Sequence, residues 1–173
     1  MLGSRVYVGT WGKYNDGNLD GAWVELSDFN SYEDFLDYAA ELHKDEYKPE
    51  FMYQDWESVP KGWISNYNLD ERIFNLIQET EDFDENELNA LFAWIGYKGN
   101  DLDKYDADDI IERFNNAYHG DFDTEVDFIY HLIDTTGFPE DEMEMYFDYE
   151  QYATALFVND YIFYDGHVFY RKI

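Results

Sequence analysis

The chain contains no cysteine in 173 residues. That excludes disulfide staples, thiol nucleophiles and Cys-ligated zinc, and it fits a reducing, cytoplasmic setting. No run approaches the roughly 18 consecutive apolar residues of a membrane span. The start, "MLGSRVYVGTW", has no apolar stretch after Arg5 that would read as a signal peptide. Bases are the next scarcity, with 11 Lys and Arg against 40 Asp and Glu, a net charge of −29. Solubility needs a net charge of only about 2–8 for a small domain, and self-repulsion opposes compaction. Neither DNA nor an anionic membrane supplies counter-charge, so direct binding to either is excluded. A cationic partner is the natural one.

Signatures of catalysis are missing too. The four histidines, His43, His119, His131 and His167, show no H-E-x-x-H or comparable spacing. There is no Gly-rich phosphate loop, G-x-S-x-G elbow or dinucleotide fingerprint. Glycosidase-like carboxylate pairs can be drawn almost anywhere among so many acids, so they carry no signal. No catalytic residue, metal or cofactor is expected.

What is present argues for a folded protein. Apolar residues make up 45% of the chain, with 17 Tyr, 14 Phe and 5 Trp, whereas disordered acidic tails lack aromatics. Aromatics can stack bases in single-strand binders, but those pair them with a basic groove. Here most belong to a core.

"RVYVGTW" and "LDGAWVEL" read as two strands joined through "GKYNDGN", with Asp16-Gly17 as the turn signal. "SYEDFLDYAAELHK" reads as a helix capped by Ser31, with Phe35, Leu36, Ala39 and Leu42 inward. "PEFMYQDWE" alternates as a third strand, and Pro60 and Gly62 punctuate the end of this unit. From Asn68 the period is helical: Ile73, Phe74 and Ile77 form one stripe, and Leu88, Leu91, Phe92 and Ile95 the next. Asp84 with Glu87 is a capping-box pattern. "DADDIIERFNNAYHG" and "DTEVDFIYHLIDTTG" predict two further helices, each opening on Asp and closing at Gly120 and Gly137. Pro139 suits the first turn of another. "DYIFYDGHVFYRKI" is a hairpin with Asp165-Gly166 at its turn.

The charge is unevenly placed. No base lies between Arg72 and Lys98, and none between Arg113 and Arg171. The acids there are interleaved with apolar residues at helical spacing, which would array them on outer faces. The expected acidic surface is Glu79, Glu81, Asp82, Asp84, Glu85, Glu87, Asp101, Asp103, Asp106, Asp108, Asp109, Glu112, Asp121, Asp123, Glu125, Asp127, Glu140, Asp141, Glu142 and Glu144.

Three readings compete for such a surface. Calcium is the first, since "DLDKYDADDIIE" puts Asp101, Asp103, Asp109 and Glu112 at positions 1, 3, 9 and 12 of an EF-hand loop. Tyr105 at position 5, and Asp106 where the turn needs glycine, oppose it. Asp106 reads better as a helix cap. The second is a merely solvated face. The third is imitation of a polyanion. At the density of duplex DNA, one charge per roughly 1.7 Å of axis, −29 corresponds to about 50 Å, or roughly 15 base pairs. An acidic chaperone of basic proteins would pass the same test.

"VYVGTWGKYNDGNLDGAWVEL" (Val6–Leu26), "LHKDEYKPEFMYQDWE" (Leu42–Glu57), "YFDYEQYATALF" and "DGHVFYRK" resemble, in this order along the chain, the ArdA antirestriction proteins. The middle resembles them by acidity and helical character more than by identity. The resemblance implies a non-enzymatic, cofactor-free DNA mimic carried by mobile elements. It would occupy the DNA-binding groove of type I restriction–modification enzymes. It further implies an elongated, curved homodimer of three small domains. On this chain these would be an N-terminal α+β domain with a three-stranded antiparallel sheet (1–61), a central acidic helical domain (62–104) and a C-terminal α+β domain (105–173). Dimerisation is associated with the last, and Tyr146–Phe157 matches the antirestriction motif. Tyr146, Phe147, Asp148, Tyr149, Tyr152, Leu156 and Phe157 are therefore the expected dimer contact, with plain intradomain core as the alternative for the apolar members. Relatives often carry an Arg-Asp pair where this chain has Thr154-Ala155, and this chain lacks the charges for that pair. The rival reading is an acidic module for another basic DNA-binding protein, such as a nucleoid protein or repressor.

Overall fold

Strand β1 (Arg5–Thr10) alternates as its sequence predicts, with Val6 and Val8 fully buried and Arg5 and Tyr7 only partly so. In the computed structural model, which describes residues 3–136 and 147–173, β1 is the centre of a three-stranded antiparallel sheet. Its neighbours are β2 (Ala22–Glu25) and β3 (Phe51–Glu57). A bulge between Tyr7 and Val8 shifts the β1–β3 register. The connector after β1 is more than a turn. Thr10 accepts a hydrogen bond from the Lys13 amide and caps a short helix, α1 (Trp11–Asn15). The chain then reverses at Gly17, with φ +77°. A β-carbon on Gly21 would lie 2.3 Å from the Val8 carbonyl oxygen, so only glycine lets the returning chain come this close.

Ser31 caps α2 (Tyr32–Leu42) by accepting from the Asp34 amide. Phe35 and Ala39 are buried, as predicted, while Leu36 and Leu42 are only half-buried. After β3 comes a two-residue hairpin, β4 (Ile64–Ser65) with β5 (Asn68–Leu69). Asn68 thus opens the second strand of a hairpin rather than a helix. The Asn66 amide donates to the Tyr53 carbonyl at 2.9 Å and fastens the hairpin to β3. Helix α3 starts four residues later (Arg72–Glu79) and buries Ile73, Phe74, Leu76 and Ile77. Phe74 packs on Phe35, with ring centroids 5.7 Å apart. Helix α4 (Glu85–Lys98) opens on the predicted capping box of Asp84 and Glu87, and α5 (Ala107–Ala117) follows a 3-10 turn. Arg72 pins this end: it pairs with Asp70, donates to the Leu102 and Tyr105 carbonyls at 2.8 Å, and lies 4.8 Å from the Trp63 ring centroid.

The chain divides into two compact units, Met1–Ile111 and Glu112–Ile173. In the second, β6 (Tyr118–Asp121), β8 (His167–Tyr170) and β7 (Tyr161–Tyr164) form an antiparallel sheet in the order β6–β8–β7. The sequence reading placed residues 118–120 at the end of a helix. They form a strand because Tyr118 pairs with Phe169, and Gly120, at φ +108°, takes the chain out of helical geometry. The hairpin turn has φ +52° at Asp165 and +82° at Gly166, as a type I′ turn requires. Helix α6 (Glu125–Thr136) opens on Thr124 rather than Asp123, since the Thr124 hydroxyl oxygen accepts from the Asp127 amide at 3.1 Å. The last helix, α7 (Tyr149–Asn159), is capped by Asp148. Phe128, Ile129, Ala153, Phe157 and Val168 form the core of this unit. Gly137 and Pro139 lie outside the described residues. Among the described residues no helix is long and apolar enough to cross a membrane.

Candidate functional site

Helix starts place many of the acids. Asp84 and Asp106 accept from the amides of Glu87 and Asp109, and Glu87 reaches back to the Asp84 amide, so three carboxylates do local capping work. First turns add Glu85 and Glu87 on α4, Asp108 and Asp109 on α5, and Glu125 and Asp127 on α6. A carboxylate there is favoured by the positive helix end, by about 0.3–1 kcal/mol. The apolar stripes face inward, and the acids are left on the outside.

All the predicted acids that fall within the described residues are exposed except Glu125, which is half-buried. The exposed ones are Glu79, Glu81, Asp82, Asp84, Glu85, Glu87, Asp101, Asp103, Asp106, Asp108, Asp109, Glu112, Asp121, Asp123 and Asp127. Glu140, Asp141, Glu142 and Glu144 lie outside the described residues. The ion pairs of Arg5, Lys13, Lys44, Arg72 and Lys172 take up Glu57, Asp45, Glu46, Glu41, Asp70 and Asp160, none of which belongs to the predicted set. The sequence reading overlooked a further row. Glu33, Asp37 and Glu41 are exposed on α2, opposite Phe35 and Ala39, and their i, i+4, i+8 spacing was the available signal.

The predicted aromatic cluster is divided by α7. Phe157 is only 6% exposed and packs edge-on to Phe128 at 5.7 Å, in the unit's own core. Leu156 and Tyr149 are half-buried against that core, and Tyr149 lies 4.5 Å from Tyr130. Phe147, also half-buried, stands edge-on to Tyr149 and Tyr152, at 5.0 Å from each. Asp148 is exposed and spends its carboxylate on the α7 cap. Tyr152 is 37% exposed, and Tyr130 at 53% and Val158 at 68%, outside the predicted set, are exposed in the same unit. Tyr146 lies outside the described residues.

The EF-hand-like acids do not converge. Asp106 is the α5 cap, and among the described residues the one grouping with metal-ligand geometry is His43, Asp45 and Glu46. Lys13 already fills that grouping. Its ammonium lies 3.1 Å from Asp45, 3.9 Å from Glu46 and 3.2 Å from His43 Nδ1. His43 Nε2 donates to the Val8 carbonyl, which leaves Nδ1 as acceptor for the ammonium. The Lys13 hydrogen bond holds the Asp45 carboxyl below its usual range. A lysine therefore supplies the cation.

Small antiparallel sheets carry helices whose outer faces are rich in carboxylates, which defines a strongly acidic protein of mixed helix and strand. The family model described as Antirestriction protein (ArdA) matches residues 6–170, and the chain belongs to that family. Its function is accordingly antirestriction, which implies interaction with restriction enzymes. A search of curated proteins finds no match.

Proposed function

We propose that this protein inhibits a type I restriction–modification enzyme without catalysis, by presenting its carboxylates as a stand-in for B-form DNA in the enzyme's DNA-binding groove. Incoming mobile DNA would thereby escape cleavage. The observation that carries this reading is the exposure of nearly every predicted acid among the described residues. An enzyme that grips duplex DNA offers many cations to such a surface, and binding releases counterions on both sides. The charge acts collectively, so no single acid is indispensable.

The reading extends to assembly and location. Three consecutive small domains, divided near residues 61 and 104, form a cytoplasmic homodimer through the C-terminal segment. Exposed Tyr130, Tyr152 and Val158 are consistent with a seam there, beside the motif residues.

The test has two parts. Cells expressing the protein should restrict incoming unmodified DNA poorly. In vitro, inhibition of a purified type I enzyme should be relieved by added DNA and should weaken steeply with salt. Inhibition indifferent to competing DNA would refute mimicry. Capture of a nucleoid protein or repressor in place of restriction subunits would favour the rival acidic module.

A further inference from the structure

A cleft of about 380 Å³ opens in the first unit, between the end of β3 at Ser58 and the turn leading from α3 into α4. Phe83, Leu88 and Phe92 line it and are half-buried, so they supply an apolar floor. Glu81, Glu85 and Asn89 line it and are exposed, so they supply a polar rim. Leu88 with Phe92, and Glu85 with Asn89, are one helical turn apart, which stacks like with like along α4. The volume is at the lower end of the roughly 300–1,000 Å³ typical of small-molecule pockets. It suits one long side chain better than a cofactor.

The two halves make opposite demands on an occupant. The floor needs an apolar body, and the rim needs a cation. An arginine side chain meets both, with an aliphatic stem and a planar, weakly hydrated guanidinium that stacks on aromatic rings and forks donors toward carboxylates. We propose that this cleft is a socket for an arginine side chain presented by the protein's basic partner. The proposal rests on the proposed function in one respect, that the partner displays basic side chains.

The socket adds something that charge mimicry lacks. Phosphates on a duplex offer no apolar floor beside the charge, so an arginine seated here makes a contact that DNA itself does not give the enzyme. Deep arginine anchors are frequent hot spots of protein interfaces. The mimic would then hold its partner by one seated point as well as by a diffuse field.

The test uses the isolated full chain and an amide NMR titration at constant ionic strength. The probes are N-acetyl-arginine amide, N-acetyl-lysine amide, N-acetyl-norleucine amide and guanidinium chloride. Saturable shifts confined to amides near residues 81–92 are expected, with the arginine probe bound at least fivefold more tightly than the other three. E81Q/E85Q should weaken that probe about fivefold, as expected for two partly exposed ion pairs. N89K should abolish its binding by seating the protein's own cation. Shifts spread equally over α5 and α6, or equal binding of guanidinium or of norleucine amide, would overturn the socket. Tighter binding of the lysine probe would overturn the arginine assignment. Probe binding without DNA-relieved inhibition would remove the proposed function and leave the socket. DNA-relieved inhibition without probe binding would remove the socket alone.

Discussion

Consider the quadruple variant D101N/D103N/D109N/E112Q, which keeps every side-chain shape and deletes four charges. All four acids are exposed, and Asp106, which caps the same helix, is left in place. Folding should barely notice. The charge of Asp109 loses a helix-dipole interaction of about 0.3–1 kcal/mol, and that of Asp103 a solvent-screened attraction to the Arg72 guanidinium. Relief of the Asp109–Glu112 i, i+3 repulsion returns about 0.2–0.5 kcal/mol. The midpoint of thermal unfolding should therefore move by only a few degrees, given roughly 2–4 °C per kcal/mol for a chain of this size. Binding should change much more. Exposed ion pairs are worth about 0.2–1 kcal/mol each, so four lost contacts cost about 1–4 kcal/mol, a roughly five- to thousandfold loss of affinity. If these acids replace phosphates, the slope of log affinity against log salt falls by about 0.9 per contact, or about 3–4 in all. The assay is competition with labelled duplex DNA for a type I enzyme across a salt series. D84A is the control. It deletes one charge and breaks the capping box, so it should destabilise the fold by about 0.5–2 kcal/mol while moving the salt slope by about one at most. An unchanged slope in the quadruple variant, with the fold intact, would refute the view that these carboxylates stand in for phosphates.

Further outcomes follow from the packing. F157A opens a cavity beside Phe128 and should destabilise the C-terminal unit by about 3–5 kcal/mol in urea unfolding. Y152A loses the edge contact with Phe147 and should cost about 0.5–1.5 kcal/mol, yet shift sedimentation toward monomer; unchanged sedimentation would remove Tyr152 from the seam. G21A drives a β-carbon against the Val8 carbonyl and should cost about 1–3 kcal/mol, read as a lower unfolding midpoint. Burial lowers the pKa of His167, and partial desolvation that of the more exposed His119, below the ordinary 6.5. The unfolded chain therefore takes up these protons first, and stability should fall as pH drops from about 6.5 through the lower folded values. H119Q/H167Q should flatten the stability profile in that window, and an unchanged profile would contradict the burial argument.

Local chemistry was legible in the chain because it acts over three or four residues. The Asp84–Glu87 box, the Ser31 and Asp106 caps and the Asp165-Gly166 turn all form where the sequence put them. Each is a short-range hydrogen bond or a backbone preference that needs no distant partner. Among the local readings that were redirected, two lie in the C-terminal unit. Residues 118–120 follow a helical stripe, but the hydrogen bonds β8 offers to Tyr118–Asp121 outweigh that preference. Thr124 displaces Asp123 as the α6 cap because its hydroxyl both accepts from the Asp127 amide and donates to the Asp127 carboxylate.

Composition and motif order determined by themselves that the protein is acidic, cysteine-free, folded and of the antirestriction family. Charge and helical periodicity also foretold that the acids would lie outside, since burying an unpaired carboxylate costs far more than any local preference returns. Only the tertiary structure decided which side of α7 is buried. Phe157 is enclosed by Phe128 and Val168, whereas Tyr152, on the same helix, reaches solvent. Likewise, the socket exists because folding carries Ser58 to the turn before α4, and no spacing along the chain records that approach. Caps and turns are written in neighbouring residues; enclosure depends on segments that meet only once the sheets and helices have packed.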